Sequence, residues 1–261
     1  MFVMRVEKHA IKYNHKHYKM LDNYCLMAKN LYNFANYHIR QSFCKEDGKY
    51  ISFYDMDKLM KQEDKDFDYR NMPTAQSAQQ ILKLLDQNWK SFFTSIKDWG
   101  KNKDKYTGRP KLPNYKKKDG RQVLTLTNQN CKIKDGYIQF PKKFDGFQIK
   151  TKVDNLQQVR FIPRNKRIVV EVVYKDKIEE KKKDNGRCYS IDIGIDNLLT
   201  VVNNFKKAPF VVNGKGLKSI NKYYNKKVSH YREVAKRMNN SDYTNRMNSW
   251  TVKRNNRIND Y

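Results

Sequence analysis

The apolar positions of the first hundred residues change from the period of a strand to that of a helix. Residues 1–10 alternate between apolar and polar side chains and predict a strand, and from about Tyr18 apolar residues recur every three or four positions. A short helix is predicted after the cap residue Ser52, and Thr74 is predicted to open a longer one that ends at Gly100. We therefore expect a helical lobe over residues 15–100.

The two long predicted helices carry different side chains on their faces. The first has an apolar face and an opposite polar face, on which lie Lys29, Asn30, Asn33 and Arg40. The other has a wide apolar stripe that includes the rings of Trp89, Phe92, Phe93 and Trp99. Rings at helical spacing are typical of a protein core, although exposed rings of this kind also stack on bases. Both interpretations stay open at this stage.

Short β-type runs separated by turn residues follow the helices. The predicted strands are 123–127, 137–140, 158–162 and 168–174, and the turns between them include Asp135-Gly136 and Asp145-Gly146. Strands of this length and spacing are typical of a small β-barrel. Because the strand at residues 1–10 precedes the helices, we interpret the helical lobe as an insertion into that barrel.

A second unit is predicted after the charged, turn-rich run at residues 181–186, which has the composition of a linker. Three strands are expected at 188–193, 198–203 and 209–212. A basic amphipathic helix is expected after Gly216, and a last helical segment at 243–261. The fold class is therefore α+β, with one domain over residues 1–185 and another over 186–261.

The charge of the chain points to a polyanionic partner. Lys and Arg total 55 against 27 Asp and Glu, a formal net charge of +28, and 18 tyrosines lie among these basic residues. Lysine and arginine neutralise phosphates, and rings stack on unpaired bases, so the composition favours RNA or single-stranded DNA. No apolar run reaches the roughly 18 residues needed to span a bilayer, and no signal peptide is evident. The four cysteines form no zinc or disulfide pattern, which favours a cytoplasmic protein without membrane contact.

Basic residues are concentrated in one segment that glycine and proline keep from forming a helix or strand. Between Lys101 and Asp119 we predict an extended, flexible loop that contacts nucleic acid; the alternative is a loop that is merely solvated. Two tyrosines lie among the cations. The predicted binding residues are Lys101, Lys103, Lys105, Tyr106, Arg109, Lys111, Tyr115, Lys116, Lys117 and Lys118. A second basic set is predicted on the helix after Gly216: Lys218, Lys222, Lys226 and Lys227.

One aspartate stands where a strand meets a glycine turn. Asp192 precedes Gly194, and a second predicted strand follows the turn. RNase H-like nucleases begin their catalytic sheet with such an aspartate, and hard metal ions prefer carboxylate ligands. An aspartate that only caps a turn is the alternative. His15 and His17 resemble a histidine pair of tyrosine transposases, but Lys16 lies between them, and a solvated helix start is the alternative interpretation.

Three stretches of the chain resemble proteins of the TnpB (OrfB) family, transposon-encoded RNA-guided DNA nucleases related to type V CRISPR effectors. Residues 192–200, DIGIDNLLT, are similar to the first RuvC motif of that family. The block from Asn213 to Lys226 is similar to the turn and basic helix that follow it, and GRPKLP at 108–113 is similar to the segment between its helical lobe and barrel. Together the three stretches keep the family's order along most of the chain.

The resemblance implies a fold, partners and a metal. The fold would be an oligonucleotide-binding-type barrel with a helical recognition insertion at about 15–100, followed by a RuvC domain of RNase H type. The partners would be a transposon-end guide RNA and a target DNA in a bacterial or archaeal, nucleoid-associated setting. Asp192 would be a catalytic residue and a ligand of Mg²⁺.

The resemblance also places the family's other catalytic carboxylates and its zinc-binding cysteine pairs beyond position 261. We therefore expect an incomplete RuvC domain, no zinc site in this chain, and no stable Mg²⁺ binding by it alone. Whether the chain is an enzyme stays open. The alternatives are a guided DNA-binding repressor, an RNA-binding autoregulator or a decayed transposon remnant, and a missing C-terminal fragment or a companion tyrosine transposase are further candidate partners.

Overall fold

The computed structural model of the chain describes residues 2–45, 48–62, 67–178, 184–238 and 245–261. The chain divides into two compact units, Met1–Ile178 and Glu179–Tyr261. Residues 181–183 of the predicted linker at 181–186 and the stretch between the two predicted C-terminal helices lie outside the described residues. Each unit is described by itself.

In its described residues the first unit contains four α-helices and seven strands. Its helices are α1 (Tyr18–Lys45), α2 (Phe53–Gln62), α3 (Phe67–Asn71) and α4 (Ala75–Lys101). Its strands are β1 (Phe2–Lys12), β2 (Leu124–Thr127), β3 (Lys132–Lys134), β4 (Tyr137–Gln139), β5 (Gln148–Lys150), β6 (Leu156–Arg164) and β7 (Arg167–Lys177). The predicted helices and the strand at the start of the chain are confirmed, and α3, β3 and β5 are additional.

In the larger sheet of this unit the first strand of the chain pairs with a strand from its middle. Four antiparallel strands lie in the order β1-β7-β6-β2, and β1 pairs with β7 from Phe2 opposite Lys177 to Lys12 opposite Arg167. Since α1 to α4 lie between β1 and β2 in sequence, the helices are inserted between two strands of one sheet.

The smaller sheet has one tight hairpin, between β3 and β4, and a longer connection between β4 and β5. Its antiparallel order is β3-β4-β5, and the turn from β3 to β4 is Asp135-Gly136, with φ of 51° and 74°. Two positive φ angles are typical of the two-residue turn that matches the twist of a hairpin. Among the described strands no hydrogen-bonded ladder joins the two sheets, so the expected closed barrel is not found. The strands of the smaller sheet have only three residues each, which leaves little backbone for such closure.

The helical lobe buries the stripe that the sequence predicts. Trp89 of α4 has an exposed fraction of 0% and packs beside Phe43 and Phe93, so it is a core residue. The predicted cap is also confirmed, because the Thr74 hydroxyl accepts a hydrogen bond from the Ser77 amide at 3.0 Å and the Ser77 hydroxyl accepts one from the Thr74 amide. The helix α4 ends at Lys101, one residue beyond the predicted glycine.

The second unit contains a small sheet and a pair of helices. Strands β8 (Tyr189–Ile193), β9 (Asn197–Asn203) and β10 (Phe210–Asn213) form an antiparallel sheet in the order β10-β9-β8, followed by α5 (Lys215–Arg237) and α6 (Asn245–Asp260). The helices are joined by a hydrogen bond of 3.0 Å between the hydroxyls of Tyr224 and Thr251. The three predicted strands and both predicted helices are confirmed, and the class is α+β with antiparallel sheets.

Candidate nucleic-acid interface

The basic segment between α4 and β2 lies in an extended conformation along α1. The Asn36 amide donates to the carbonyl of Pro113 at 3.0 Å, and the Lys29 ammonium donates to the carbonyl of Lys118 at 3.0 Å. Farther on, the guanidinium of Arg121 forms a two-pronged ion pair with Asp22, with hydrogen bonds of 3.0 and 2.8 Å. The backbone of the segment is therefore held by one face of a helix.

This arrangement corrects one expectation from the sequence. Residues 113–118 are not a flexible loop, because the carbonyls of Pro113, Lys116 and Lys118 are bound at successive turns of α1. Part of the polar face of α1 is buried beneath them: Lys29 has an exposed fraction of 6% and Asn36 of 0%. Buried polar groups need hydrogen-bond partners, and here the extended segment supplies them.

The first part of the basic segment contacts the C-terminal end of α4. Lys101 is the last residue of α4, and a single 3₁₀ turn carries Lys103 and Lys105. The Tyr106 hydroxyl donates to Asp98 at 2.8 Å, and this hydrogen bond lowers the pKa of the Asp98 carboxyl. Two cations lie near the half-buried ring of Trp99: Lys103 Nζ at 5.4 Å and Arg109 Cζ at 5.9 Å from its centre. The apolar stripe of α4 thus ends at Trp99, whose ring lies beside the cations of Lys103 and Arg109.

In the later part of the segment the backbone binds α1, and most of the basic side chains are exposed to solvent. Lys111, Tyr115, Lys116, Lys117 and Lys118 are exposed. The guanidinium carbon of Arg40 lies 4.7 Å from the centre of the Tyr115 ring, and Lys116 Nζ lies 5.0 Å from that of Tyr32. The sequence pattern did not indicate Arg40 as a site residue, because its partner ring and carbonyl lie more than seventy positions away. The ten predicted residues lie within one stretch of the sequence, 101–118. The structure adds Arg40 of α1, which lies beside Tyr115.

The basic residues of α5 form a less uniform set. Lys218 makes an ion pair of 2.8 Å with Asp196, and this contact lowers the pKa of the Asp196 carboxyl. Lys227 Nζ lies 5.8 Å from the centre of the Trp250 ring on α6, whereas Lys222 and Lys226 are exposed. Two cations of α6 that were not predicted as site residues also lie against rings: Lys253 beside Trp250 and Arg254 beside Tyr224.

Asp192 lies near the end of β8, opposite Thr200 of β9. Its side chain is exposed, as is every residue of that strand. In the described part of the chain no group of three or more His, Cys, Asp or Glu side chains could hold a metal ion. Two magnesium ions need several carboxylates in a defined arrangement, so the residues present do not fit the metal that the family resemblance implies.

Two glycines shape the turn beside Asp192. A β-carbon on Gly194 would lie 2.7 Å from the carbonyl oxygen of Asn197, and one on Gly214 would lie 2.3 Å from that of Ile195. Both distances are far below van der Waals contact with backbone that cannot rotate away. The Gly214 amide also donates to the Asp196 carbonyl at 2.7 Å, so the turn after β8 is tied to the start of α5.

The two histidines near the start of α1 differ in exposure: His15 is exposed, as a solvated helix start would be, whereas His17 is buried. His17 has an exposed fraction of 7%, and its ring centre lies 5.4 Å from that of Phe147. Burial lowers the pKa of His17, which favours the neutral form. His15 accepts a hydrogen bond from the His17 amide at 3.3 Å. These contacts make the pair a part of the packing around Phe147.

Comparison with known proteins finds a transposase-like match in the C-terminal part of the chain. Residues 167–261 match the family model OrfB_IS605, described as a probable transposase. The match covers less than half of the chain and supports the predicted resemblance to the TnpB (OrfB) family. No curated protein matches the chain significantly.

Two solved structures resemble parts of the chain. One is a cryo-EM structure of a CRISPR-Cas12f ternary complex, with 11% identity and a TM-score of 0.38 over 85% of this chain and 53% of that one. The other is a cryo-EM structure of a Cas12f1-sgRNA-target DNA complex, with 11% identity and a TM-score of 0.31 over 95% of this chain and 64% of that one. The chain thus spans about half to two thirds of their length, and scores of this size do not establish a common fold.

None of the described helices has the length and apolar character needed to cross a membrane.

Proposed function

We propose that this chain is a nucleic-acid-binding protein of the TnpB type, and that the basic segment bound along α1 is the core of its interface. The observation that carries the proposal is the orientation of this segment. Its carbonyls are taken by Lys29, Asn36 and Arg40, and its lysines at 116 to 118 are exposed. An ordered row of cations binds phosphates with less loss of conformational entropy than a flexible loop.

The proposed partners are a structured guide RNA from a transposon end and a target DNA. The family match supports a transposon-encoded protein, and the net charge of +28 supports polyanionic partners. In this proposal residues 1–185 form an oligonucleotide-binding-type domain with its helical insertion, and residues 186–261 form part of a RuvC domain. The protein would act in the cytoplasm, at the nucleoid.

A second candidate function is binding without cleavage, as a guided repressor or an RNA-binding autoregulator. Two observations favour this candidate. Asp192 is exposed, and among the described residues no group of three or more His, Cys, Asp or Glu side chains could hold a metal ion. In both candidates the segment along α1 has the same role, and they differ only in whether the bound target is then cut. The parent activity, metal-dependent cleavage guided by RNA, would need carboxylates in addition to Asp192.

A salt titration of RNA binding tests the shared part of both candidates. The 261-residue chain is mixed with a structured RNA, and the association constant is measured as salt increases. If about five phosphates are neutralised, log affinity should fall against log salt with a slope of about −4. Absent binding at low salt, or affinity that does not change with salt, would contradict the proposal.

A further inference from the structure

Two adjoining clefts lie where the basic segment crosses between α1 and the end of α4. Their volumes are about 390 Å³ and 490 Å³. Phe92, Pro110, Lys111 and Asn114 line both, so the clefts share a wall made by the segment and one ring of α4. Clefts of this size hold small organic groups rather than a folded partner.

The first cleft combines aromatic rings with small polar side chains. Asn88, Ser91 and Ser95 follow each other at intervals of three and four along α4, so they lie on the same face of the helix. Opposite them lies Tyr115, whose exposed fraction is 43%. The Ser91 hydroxyl already donates to the Gln87 carbonyl, which leaves its oxygen as an acceptor. Rings beside hydrogen-bonding groups are the means by which proteins hold an unpaired base.

The second cleft is lined by three cations, Arg40, Arg109 and Lys111. Arg40 donates to the Pro113 carbonyl at 2.7 Å, but its Nε is buried with no hydrogen-bond partner in the described part of the chain. Among the described residues no carboxylate lies within 4.0 Å of Arg40, although other cations of this unit, such as Arg121, are paired. A partly buried guanidinium without a counter-ion favours the binding of an anion such as a phosphate.

We propose that these two clefts hold consecutive nucleotides of an unpaired strand. A base enters the first cleft against Tyr115 and the serines of α4, and the adjoining phosphate lies in the second cleft beside Arg40, Arg109 and Lys111. A base pair would keep the base edge away from Ser91 and Ser95, so the clefts select an unpaired segment over a duplex. This inference rests on the proposed function, and it names the form of nucleic acid that the basic segment binds.

Filling the first cleft tests the proposal. The substitution Ser95→Phe places a ring in the space meant for a base, and Thr94→Phe is the matched control, because Thr94 is on the same turn but does not line either cleft. The probes are fluorescent oligouridine, oligothymidine, the same strands with abasic sites, and a duplex. Thermal melts of both variants verify that they fold.

We expect Ser95→Phe to lose the part of the binding affinity that depends on the base. Wild type and Thr94→Phe should bind the normal strand about tenfold more tightly than the abasic strand, and Ser95→Phe should abolish this difference while leaving duplex binding unchanged. Comparison of oligouridine with oligothymidine shows whether RNA or DNA is preferred. If Ser95→Phe keeps the preference for the normal strand, the cleft holds no base and the inference is wrong.

The phosphate position is tested with a second pair of variants. Arg109→Gln should weaken binding of the single strand more than Lys97→Gln. Arg109 lines the second cleft and not the first, and Lys97→Gln removes the same charge from an exposed position of α4 outside both clefts. Equal losses would show that only net charge matters and would overturn the assignment of the second cleft. Failure of the proposed function is distinguishable from both, since wild type would then bind none of the probes.

Discussion

Asn33 holds the backbone of Lys116 through two hydrogen bonds. Its amide nitrogen donates to the Lys116 carbonyl at 2.9 Å, and its amide oxygen accepts from the Lys116 N–H at 2.7 Å. A side-chain amide carries one donor and one acceptor side by side, so it satisfies both backbone groups of one residue as a neighbouring strand would. The position of the basic segment on α1 therefore depends on the chemistry of single side chains.

Asn33→Leu should release this part of the segment. The variant loses both hydrogen bonds to Lys116, so the Lys116 amide should exchange with solvent faster, and the free energy of unfolding should fall by about 1 kcal/mol. Asn30→Leu is the control, because Asn30 is a half-buried residue of the same helix outside this contact. Unchanged protection of Lys116 in Asn33→Leu would show that other contacts position the segment.

Neutralising the three consecutive lysines should change the salt dependence of RNA binding. Replacing Lys116, Lys117 and Lys118 with glutamine should make the slope of log affinity against log salt less steep by about 2. Each phosphate contact releases counterions when it forms, and the variant forms fewer such contacts. A control with the same charge change replaces Lys132, Lys134 and Lys150, exposed residues of the smaller sheet. If both triple variants lower the slope equally, the segment has no special part in the interface.

Asn36→Leu should destabilise the first unit more than Asn33→Leu. Asn36 is fully buried, accepts from the Trp89 indole N–H at 2.9 Å and donates to Pro113 at 3.0 Å. Leucine would leave the indole N–H of Trp89 buried without a partner, while the Pro113 carbonyl would keep only its hydrogen bond from Arg40, at a cost of about 2–3 kcal/mol in the free energy of unfolding. Urea denaturation measures this difference, and a loss below that of Asn33→Leu would refute the ranking.

Gly214→Ala should loosen the second unit, whereas Gly108→Ala should not. The added methyl group on Gly214 would meet the Ile195 carbonyl at 2.3 Å, while one on Gly108 would meet no atom within 4 Å. Backbone must move in the first case, so hydrogen exchange in β8 and α5 should accelerate. Equal exchange in the two variants would mean that the turn accommodates a β-carbon.

Asp192→Ala should leave RNA binding within about 0.5 kcal/mol of wild type, as is usual for an exposed residue without special contacts. A polypeptide of residues 1–261 should also not cleave DNA when given RNA and magnesium, because one carboxylate does not hold two ions about 4 Å apart. Guided cleavage of a plasmid library is the assay. Magnesium-dependent cuts that Asp192→Ala abolishes would show that the site is completed in another way.

Local patterns in the sequence were sufficient for most helices and strands. The stripe of α4, its cap at Thr74 and the hairpin turn at Asp135-Gly136 each depend on neighbouring residues, and each was predicted. The strands β3 and β5 each contain a single apolar residue, Ile133 and Ile149, so neither forms a recognisable apolar pattern. The equally short β4 was predicted because Tyr137, Ile138 and Phe140 form an apolar run.

Contacts between distant segments could not be predicted in the same way. The composition of the basic segment was evident, but its path was not, because its partners Asn33, Asn36 and Arg40 have the spacing of an ordinary solvated helix face. The expectation of a flexible loop failed for this reason. The clefts beside Tyr115 likewise arise only when the segment and α4 are brought together.

The fixed path of the basic segment constrains its length. Two residues of extended chain, from Lys116 to Lys118, cover about 7 Å, and their partners Asn33 and Lys29 are one helical turn, about 6 Å, apart on α1. An inserted or deleted residue between these two anchors would break this match, although most surface connections tolerate such changes. Natural variation in length should therefore be confined to residues 102–109, which precede the hydrogen bonds that the Pro113 carbonyl accepts from α1.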